Sequence, residues 1–414
     1  MNYFQFIRMN LPWLSAAGLL TFSSSYGQTY FISIFSGEIM EEFGLSDGAW
    51  GGIYTAGTTL SAIAMIWAGA LTDRFRVRVL GPVVLIILAA ACLSMAMVNS
   101  AVMLVFVIFA LRFGGQGMSS HTAMVAVARW FVATRGRAMT VASLGLIVGN
   151  ALLPVVFVAL LQFTNWRMLW VLAAGLAFCV IPALFLLLQK ERTPQSVAKD
   201  TQAFGIDMRH WSRREVLHHW LFWLVMPLMI GPSAWGTAVF FQQVHLSEVK
   251  GWSHVEFVAL FPLFTVASVV MNLVTGWAVD RFGTNRLIPF YLLPFIAMFA
   301  VLALTNSIQM AAVAMILFGI GIGSSASLLG AFWAEHFGTQ HLGSIKAIAA
   351  AAIVFGSAIG PGVTGVFIDW GYDFPDQMLG IIVYLIVATV LATLGVVRAR
   401  PLLPVAPQID IERA

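Results

Sequence analysis

Gly69-Ala70-Leu71-Thr72-Asp73-Arg74-Phe75 returns later in the chain as Gly276-Trp277-Ala278-Val279-Asp280-Arg281-Phe282. The offset is half of the 414-residue length, and it persists downstream: Gly136 answers to Gly343, Gly149 to Gly356, Ala151 to Ala358 and Pro154 to Pro361. Matches held in one register over so long a stretch mark a module written twice, and a repeat governs how the rest is read.

Each module is apolar. Hydrophobic residues make up 60% of the chain and charged residues 10%, with a mean hydropathy of +0.89, whereas about a quarter of a soluble domain is charged. Runs long enough to cross a bilayer, about 20 residues each, fall at 11–35, 50–72, 80–98, 103–128, 138–161, 168–189, 219–244, 256–279, 287–305, 308–334, 344–368 and 377–397. Bare backbone is not satisfied in hydrocarbon, and none of these runs alternates as a barrel strand does, so they are predicted to be helices. The expected fold is an all-α membrane protein of twelve transmembrane helices, arranged as two six-helix bundles with pseudo-two-fold symmetry. Its parts are an N-terminal bundle over 1–190, a cytoplasmic linker over 191–218 and a C-terminal bundle over 219–414.

With both termini placed inside, all but three of the 22 Lys and Arg fall on inner segments; Arg167 and Lys250 lie outside and Arg112 within the fourth span. That bias predicts a multi-pass protein of the cell membrane with cytoplasmic termini, in the inner membrane if the source is bacterial. The pI near 9.3 then reports topology and contact with anionic membrane lipids, and nucleic acid is not an expected partner. The apolar stretch after Arg8 runs on to Phe35, and losing it would break the six-plus-six pattern, so it reads as a span and not as a signal peptide. Cys92 and Cys179 lie within spans and give no disulfide framework. In the linker, Asp207 to His219 reads as a short amphipathic helix, with Trp211, Val216 and Leu217 on the membrane and Arg209, Arg213 and Arg214 at phosphates.

The repeated heptapeptide sits where the second and eighth spans reach the cytoplasm. Gly69 and Gly276 let a neighbouring helix approach; Asp73 and Asp280 can sit against a helix N-terminus, with Arg74 and Arg281 beside them. Such a charge cluster on one face of two bundles reads as a gating latch, against the plainer reading of a tight polar turn. These residues resemble the cytoplasmic signature Gly-x-x-x-Asp-Arg-x-Gly-Arg-Lys/Arg of the major facilitator superfamily of secondary transporters, a likeness that covers nearly the whole chain. The first copy departs from it at Arg76 and Val77, the second at Thr284 and Asn285. The resemblance implies alternating access, by rocking of two halves about a central site.

Arg112 lies midway along the fourth span, where an ionised group is costly enough to need a cavity or a partner. On a helix Arg112, Gln116, Ser119 and Ala123 share a face, and no carboxylate lies well inside any span to pair with the arginine. Arg112-Phe113-Gly114-Gly115-Gln116-Gly117 is similar to the superfamily's fourth-helix signature; the second half has Gly319-Ile320-Gly321-Ile322-Gly323-Ser324, with Phe318 opposite Arg112. The first span carries Ser23, Ser24, Ser25, Tyr26, Gln28, Thr29 and Tyr30, too polar for a lipid face. Its mate, 230–237, holds Gly231-Pro232-Ser233 and Trp235, where Pro and Gly are expected to break the helix beside a cavity. Gln242, Gln243 and His245 would close that pocket from outside. Phe35-Ser36-Gly37-Glu38 with Glu42-Phe43-Gly44-Leu45-Ser46 looks like the start of monocarboxylate and oxalate/formate porters. The basic residues which those porters carry in the eighth span have no counterpart around Met271 and Asn272, and Lys346 opens the eleventh span near its cytoplasmic end. Drug-exporting branches carry a Gly-Pro signature in the fifth span; here Gly360-Pro361 is in the eleventh, which argues against export.

The expected cargo is therefore a small organic anion, a carboxylate by preference, bound by Arg112, Gln116, Tyr26, Gln28, Tyr30, Trp235, Ser119 and Asn272 in a monomer. His121 is the remaining proton-coupling candidate. Nine residues from Arg112, it lies about half a turn away, which favours packing, so a substrate-borne proton or a counter-anion also stays open. Two rivals remain: a proton-coupled exporter of amphipathic compounds, suited to 32 Phe and 14 Trp, and a transport-inactive sensor on the same fold. No Gly-Lys dipeptide offers a phosphate loop, no His/Cys cluster has metal-ligand spacing, and Ser119 or Ser120 next to His121 makes no hydrolase by adjacency. Neither an enzyme nor a cofactor is expected.

Overall fold

The computed structural model describes residues 3–69, 71–131, 135–189, 205–338 and 340–403, and these are helical with no strand among them. Twelve long helices follow in chain order: α1 Tyr3–Ser23, α2 Asp47–Ala68, α3 Val77–Ala96, α4 Ala101–Trp130, α5 Arg135–Leu161, α6 Trp166–Leu187, α7 Trp220–Phe241, α8 Phe261–Phe282, α9 Leu293–Leu304, α10 Ile308–Phe337, α11 Leu342–Asp369 and α12 Phe374–Ala399. Ten helical stretches are long and apolar enough to cross a membrane. The helices α1 and α2 are not among the ten although both are long enough, because α1 carries Gln5, Arg8, Asn10 and Pro12 and α2 is rich in Gly, Ser and Thr. The chain is a multi-pass membrane protein, and Ile66, Phe106, Phe178, Leu304 and Val383 stand on its outer belt as lipid-facing side chains.

The packing repeats as the sequence does. In the first half α1 packs on α5, α3 on α6 and α2 on α4; in the second, α7 packs on α11, α9 on α12 and α8 on α10. Between halves α2 meets α11 and α8 meets α5, the same pair exchanged by the pseudo-two-fold axis. Small residues and hydroxyls make these crossings close. Any side chain at Gly145 would strike the Gly18 carbonyl, and one at Gly360 the Ala234 carbonyl. Thr21 Oγ1 donates to Ala142 O and Ser233 Oγ to Ile353 O, both at 2.6 Å.

The repeat reaches further than the spans. Short helices Ser36–Phe43 and Gln243–Lys250 occupy matching places, ending at Gly44 and Gly251 with φ of +61° and +70°, where a side chain would be strained. Ser46 and Ser253 then cap the next helices. Both pieces lie at one end of the molecule, called the far end here; the opposite, arginine-rich end holds Arg74, Arg129, Arg281 and Arg398. Cys92 is buried and Cys179 exposed, both as free thiols.

Two expectations are corrected. The segment before α7 is not helical from Asp207 to His219: its helix is Arg213–His218, closed by a Ser212–Glu215 capping box. Nor do Trp211 and Val216 lie on the membrane. Trp211 Nε1 donates to Ile206 O and its ring meets Phe337 edge-on, while Val216 is fully buried, so this segment is tied to the end of α10. Residues 191–204 of the expected linker lie outside the described residues.

Substituting Gly145→Leu should cost about 1–3 kcal/mol by overpacking the α1/α5 crossing, read as a lower melting temperature in detergent. Gly175→Ala, which has open space around it, should melt as the unaltered protein does.

Candidate functional site

The helix α4 starts regularly, with Ser100 Oγ accepting the Met103 N–H. At Arg112 it changes: Arg112–Ser119 winds as a π-helix, after which α-helix resumes at Ser120. A π turn bonds residue i to i+5 and is frequent at functional sites. Ser119 Oγ reinforces it by donating to Gly114 O, five residues back, at 2.8 Å. The single face expected for Arg112, Gln116 and Ser119 is therefore corrected, since it assumed α spacing. Gln116 lines the central cavity, Ser119 is buried on a backbone carbonyl, and Arg112 is 1% exposed.

Against the π turn lies the irregular stretch of the first span. After α1 the chain makes a 3-10 turn, Ser24–Gly27, and then Gln28 is extended at φ −87° and ψ 152°. Glycine faces glycine here: a Cβ at Gly115 would stand 2.6 Å from Gly27 Cα. The break leaves the Gly27 carbonyl free, and Arg112 Nη1 donates to it at 3.1 Å and to Thr29 Oγ1 at 3.4 Å. The guanidinium carbon stands 5.4 Å from the Tyr54 ring centre, and the Tyr54 and Thr29 hydroxyls are bonded to each other. Nε and Nη2 of Arg112 have no partner, and no carboxylate pairs with it among the described residues. A buried cation so placed is under-compensated.

The central cavity measures about 540 Å³ and is lined almost wholly by α7, α10 and α11, with Tyr291 from the turn just before α9. It runs from Phe240 and Phe318 past Tyr291 and Ser325 to Trp333 and Lys346, near the arginine-rich ends of α10 and α11. Among the described residues Lys346 is the one charged side chain in that lining. Its signal was present in the sequence: Lys346, Ala349, Ile353 and Ser357 recur at helical spacing and all face the cavity.

The other expected residues scatter. Tyr26 is 1% exposed, packed edge-on against Phe22 and Phe31 inside the first bundle. Gln28 is half-buried at the break. Tyr30 donates to Ser25 Oγ and turns its ring to Phe240. The expectation that Pro232 breaks the seventh span is overturned, because α7 runs unbroken through it. Ser233 and Thr237 do line the cavity, but Trp235 faces a second cleft of about 290 Å³ with Val363, Tyr372 and Gln377. Asn272 is exposed and accepts from Ser327 Oγ. His121 Nε2 lies 3.3 Å from Gly69 O, so it meets the first heptapeptide and not the cavity.

The two heptapeptide copies are held differently. In the first, Arg129 Nη1 donates to Thr72 O. In the second, Glu335 of α10 accepts from Thr284 N–H at 3.1 Å, from Thr284 Oγ1 at 2.6 Å and from Asn285 Nδ2 at 3.3 Å; the carboxylate thus caps the turn after Gly283, whose φ is +74°. Arg281 lies over Trp277, and Arg74 is exposed. These contacts stay within their own halves, and the side chains of Asp73 and Asp280 lie outside the described residues.

The halves join at the far end. Ser33 Oγ donates to Phe240 O, Gln243 Nε2 to Ser33 Oγ at 2.7 Å, Thr55 Oγ1 to Ala358 O and Ser46 Oγ to Asp369. His254 bonds Gln243 Oε1, and His245 stands 3.3 Å from Asp373. Gln242 turns to Thr364, within its own half. Outside the spans, the Arg167 guanidinium holds the Glu42 carboxyl below the usual carboxylate range.

The sequence profile of the Major Facilitator Superfamily matches residues 17–361 and again 259–410. No curated protein sequence matches this chain. Among solved structures, a bacterial homologue of the human lysosomal transporter Spinster, inward-facing and unoccupied, superposes with a TM-score of 0.72 at 16% identity, over 95% of this chain and 98% of that one. The nucleoside transporter NupG superposes with a TM-score of 0.70 at 12% identity, over 93% and 99%. At these identities the likeness is one of fold.

Gln243→Ala removes a hydrogen bond that joins the halves, each worth about 1 kcal/mol. It should shift the population toward an open far end about fivefold, seen as faster labelling of a cysteine at position 55 by a membrane-impermeant maleimide in a protein lacking its two native thiols.

Proposed function

This chain belongs to the Major Facilitator Superfamily of transporters, and we propose that it moves a small organic anion, a carboxylate, across the cell membrane by alternating access. The observation that carries this reading is the charge of the central cavity: among the described residues its lining contains one charged side chain, the cation Lys346, and no carboxylate. Arg112 adds a second cation in the first half, with two nitrogens left unpaired. A cavity wall with positive charge lowers the energy of an anion and raises that of a cation, the more so away from bulk water.

The excess of arginine at one end supports cytoplasmic termini, so the cavity would face the cytoplasm here, with the bundles over 1–190 and 219–414 joined by a linker over 191–218. Since no carboxylate lines the cavity among the described residues, the driving gradient would act through a proton carried on the substrate or through a counter-anion. Phe240, Phe318 and Trp333 in the same wall favour a second reading, the export of amphipathic compounds.

Uptake of labelled acetate, lactate, oxalate and benzoate into proteoliposomes separates the two. Lys346→Ala should lower uptake of the preferred carboxylate about tenfold or more, as the loss of a charge-assisted hydrogen bond does, and Arg112→Gln should do likewise. Uptake left intact in both variants, or transport confined to neutral and cationic amphipaths, removes the anion reading. The gating role of Gly69, Asp73, Arg74, Gly276, Asp280 and Arg281 is tested by Asp73→Asn, which should slow turnover with little change in substrate affinity; a normal rate would leave the motif as a polar turn.

A further inference from the structure

The π turn in α4 and the isolation of Arg112 have one explanation. The matching segment of the second half, from Gly319 onward, lies within the uninterrupted α-helix α10. The module thus accepts α-helix at this place, and the two halves hold the same stretch in two windings. By register the mate of Arg112 is Gly319, and the neighbouring Phe318 fills in the second half the space that Arg112 fills in the first: Arg112 bonds Thr29, the Phe318 ring lies against Gly236, and Thr29 and Gly236 are repeat mates. Phe318 lines the cavity, whereas Arg112 does not. Gln116, four residues along from Arg112, already does.

We propose that Arg112–Ser119 is a π-to-α switch that presents Arg112 to the anion. With the π turn in place the guanidinium rests on the Gly27 carbonyl and Thr29 with two nitrogens unsatisfied. When a carboxylate enters, the segment winds to i→i+4 bonding. Each residue of a π turn advances less than the about 100° of an α-helix, so rewinding rotates Arg112 against Gln116 by tens of degrees and brings it to the face that Phe318 occupies in the other half. The cost of breaking its bonds to Gly27 and Thr29 is offset by the pairing of Nε and Nη2. Because Gly27 O belongs to the break in the first span, the same motion frees that break, and occupancy is relayed to the helix that closes the far end.

The inference rests on the anion reading, and the test keeps the two apart. Thermal-shift titration with acetate, lactate, oxalate and benzoate measures binding to the unaltered protein, to Ser119→Ala, which removes the bond that closes only across five residues, and to Gly117→Ala. At Gly117 a Cβ meets the flexible Met65 side chain, Sδ at 2.8 Å and Cγ at 3.1 Å, and the Arg112 carbonyl at an ordinary 3.4 Å, and alanine favours α-helix about fivefold over glycine. Both variants should bind the preferred carboxylate about fivefold more tightly and exchange it more slowly. Cryo-electron microscopy of the bound, unaltered protein should show α-helix through 112–119 and Arg112 on the carboxylate. Binding that is unchanged in both variants, or a bound structure that keeps the π turn with Arg112 on Gly27, overturns the switch and leaves the anion reading standing. No stabilisation by any of the four acids overturns both.

Discussion

Ser33 and Phe240 occupy the same place in the two modules, and they touch. A contact between mates lies on the pseudo-two-fold axis, so the 2.6 Å bond from Ser33 Oγ to the Phe240 carbonyl marks the line about which the halves are related. Its physical basis is a helix end. Phe240 belongs to the last turn of α7, where carbonyls have no partner in their own helix, and hydrocarbon offers none. One hydroxyl from the other half meets that need while accepting from Gln243, and the far end closes around it. The cavity lies beyond, toward the arginine-rich end.

From that axis outward the two halves agree in scaffold and differ in chemistry. Crossing for crossing, α1 on α5 repeats as α7 on α11, down to a hydroxyl-to-carbonyl bond in each. At the point where α4 and α10 face the centre, one half has a guanidinium, a threonine and a tyrosine, and the other a phenylalanine on a glycine. The same division recurs at the heptapeptides: a cation, Arg129, holds the first copy by a carbonyl, and an anion, Glu335, holds the second by its N–H and hydroxyl groups.

The scaffold was legible because it depends on periodicities that the backbone imposes: apolar runs of membrane length, and glycines in one register. Arg112 stood out for a similar reason, since its depth follows from its place in a run. What it faces did not, because a run read at α spacing cannot show that eight residues wind as π, and Ser119, whose hydroxyl bonds five residues back, looks like any other polar residue. Trp235 was assigned to the wrong side of α7 because Pro232 suggested a break, and tertiary packing carried the helix through it. Lys346 was discounted by its nearness to a span end, although its spacing with Ile353 and Ser357 placed it on one stripe. Glu335 went unremarked since only packing brings it to Thr284.

Among the described residues Gln116 is the sole contribution of the first half to the lining of the cavity. Most of the recognising wall and most of the articulation are thereby allotted to different stretches of one duplicated chain, and they meet at Gln116 and Arg112. Substitutions along α10 and α11 can reshape what is accepted without disturbing the crossings of α1 with α5, and away from the π turn of α4 the first half can retune the hinge without altering the wall that a cargo meets. A gene that doubled has in this way gained two parts that are free to drift separately.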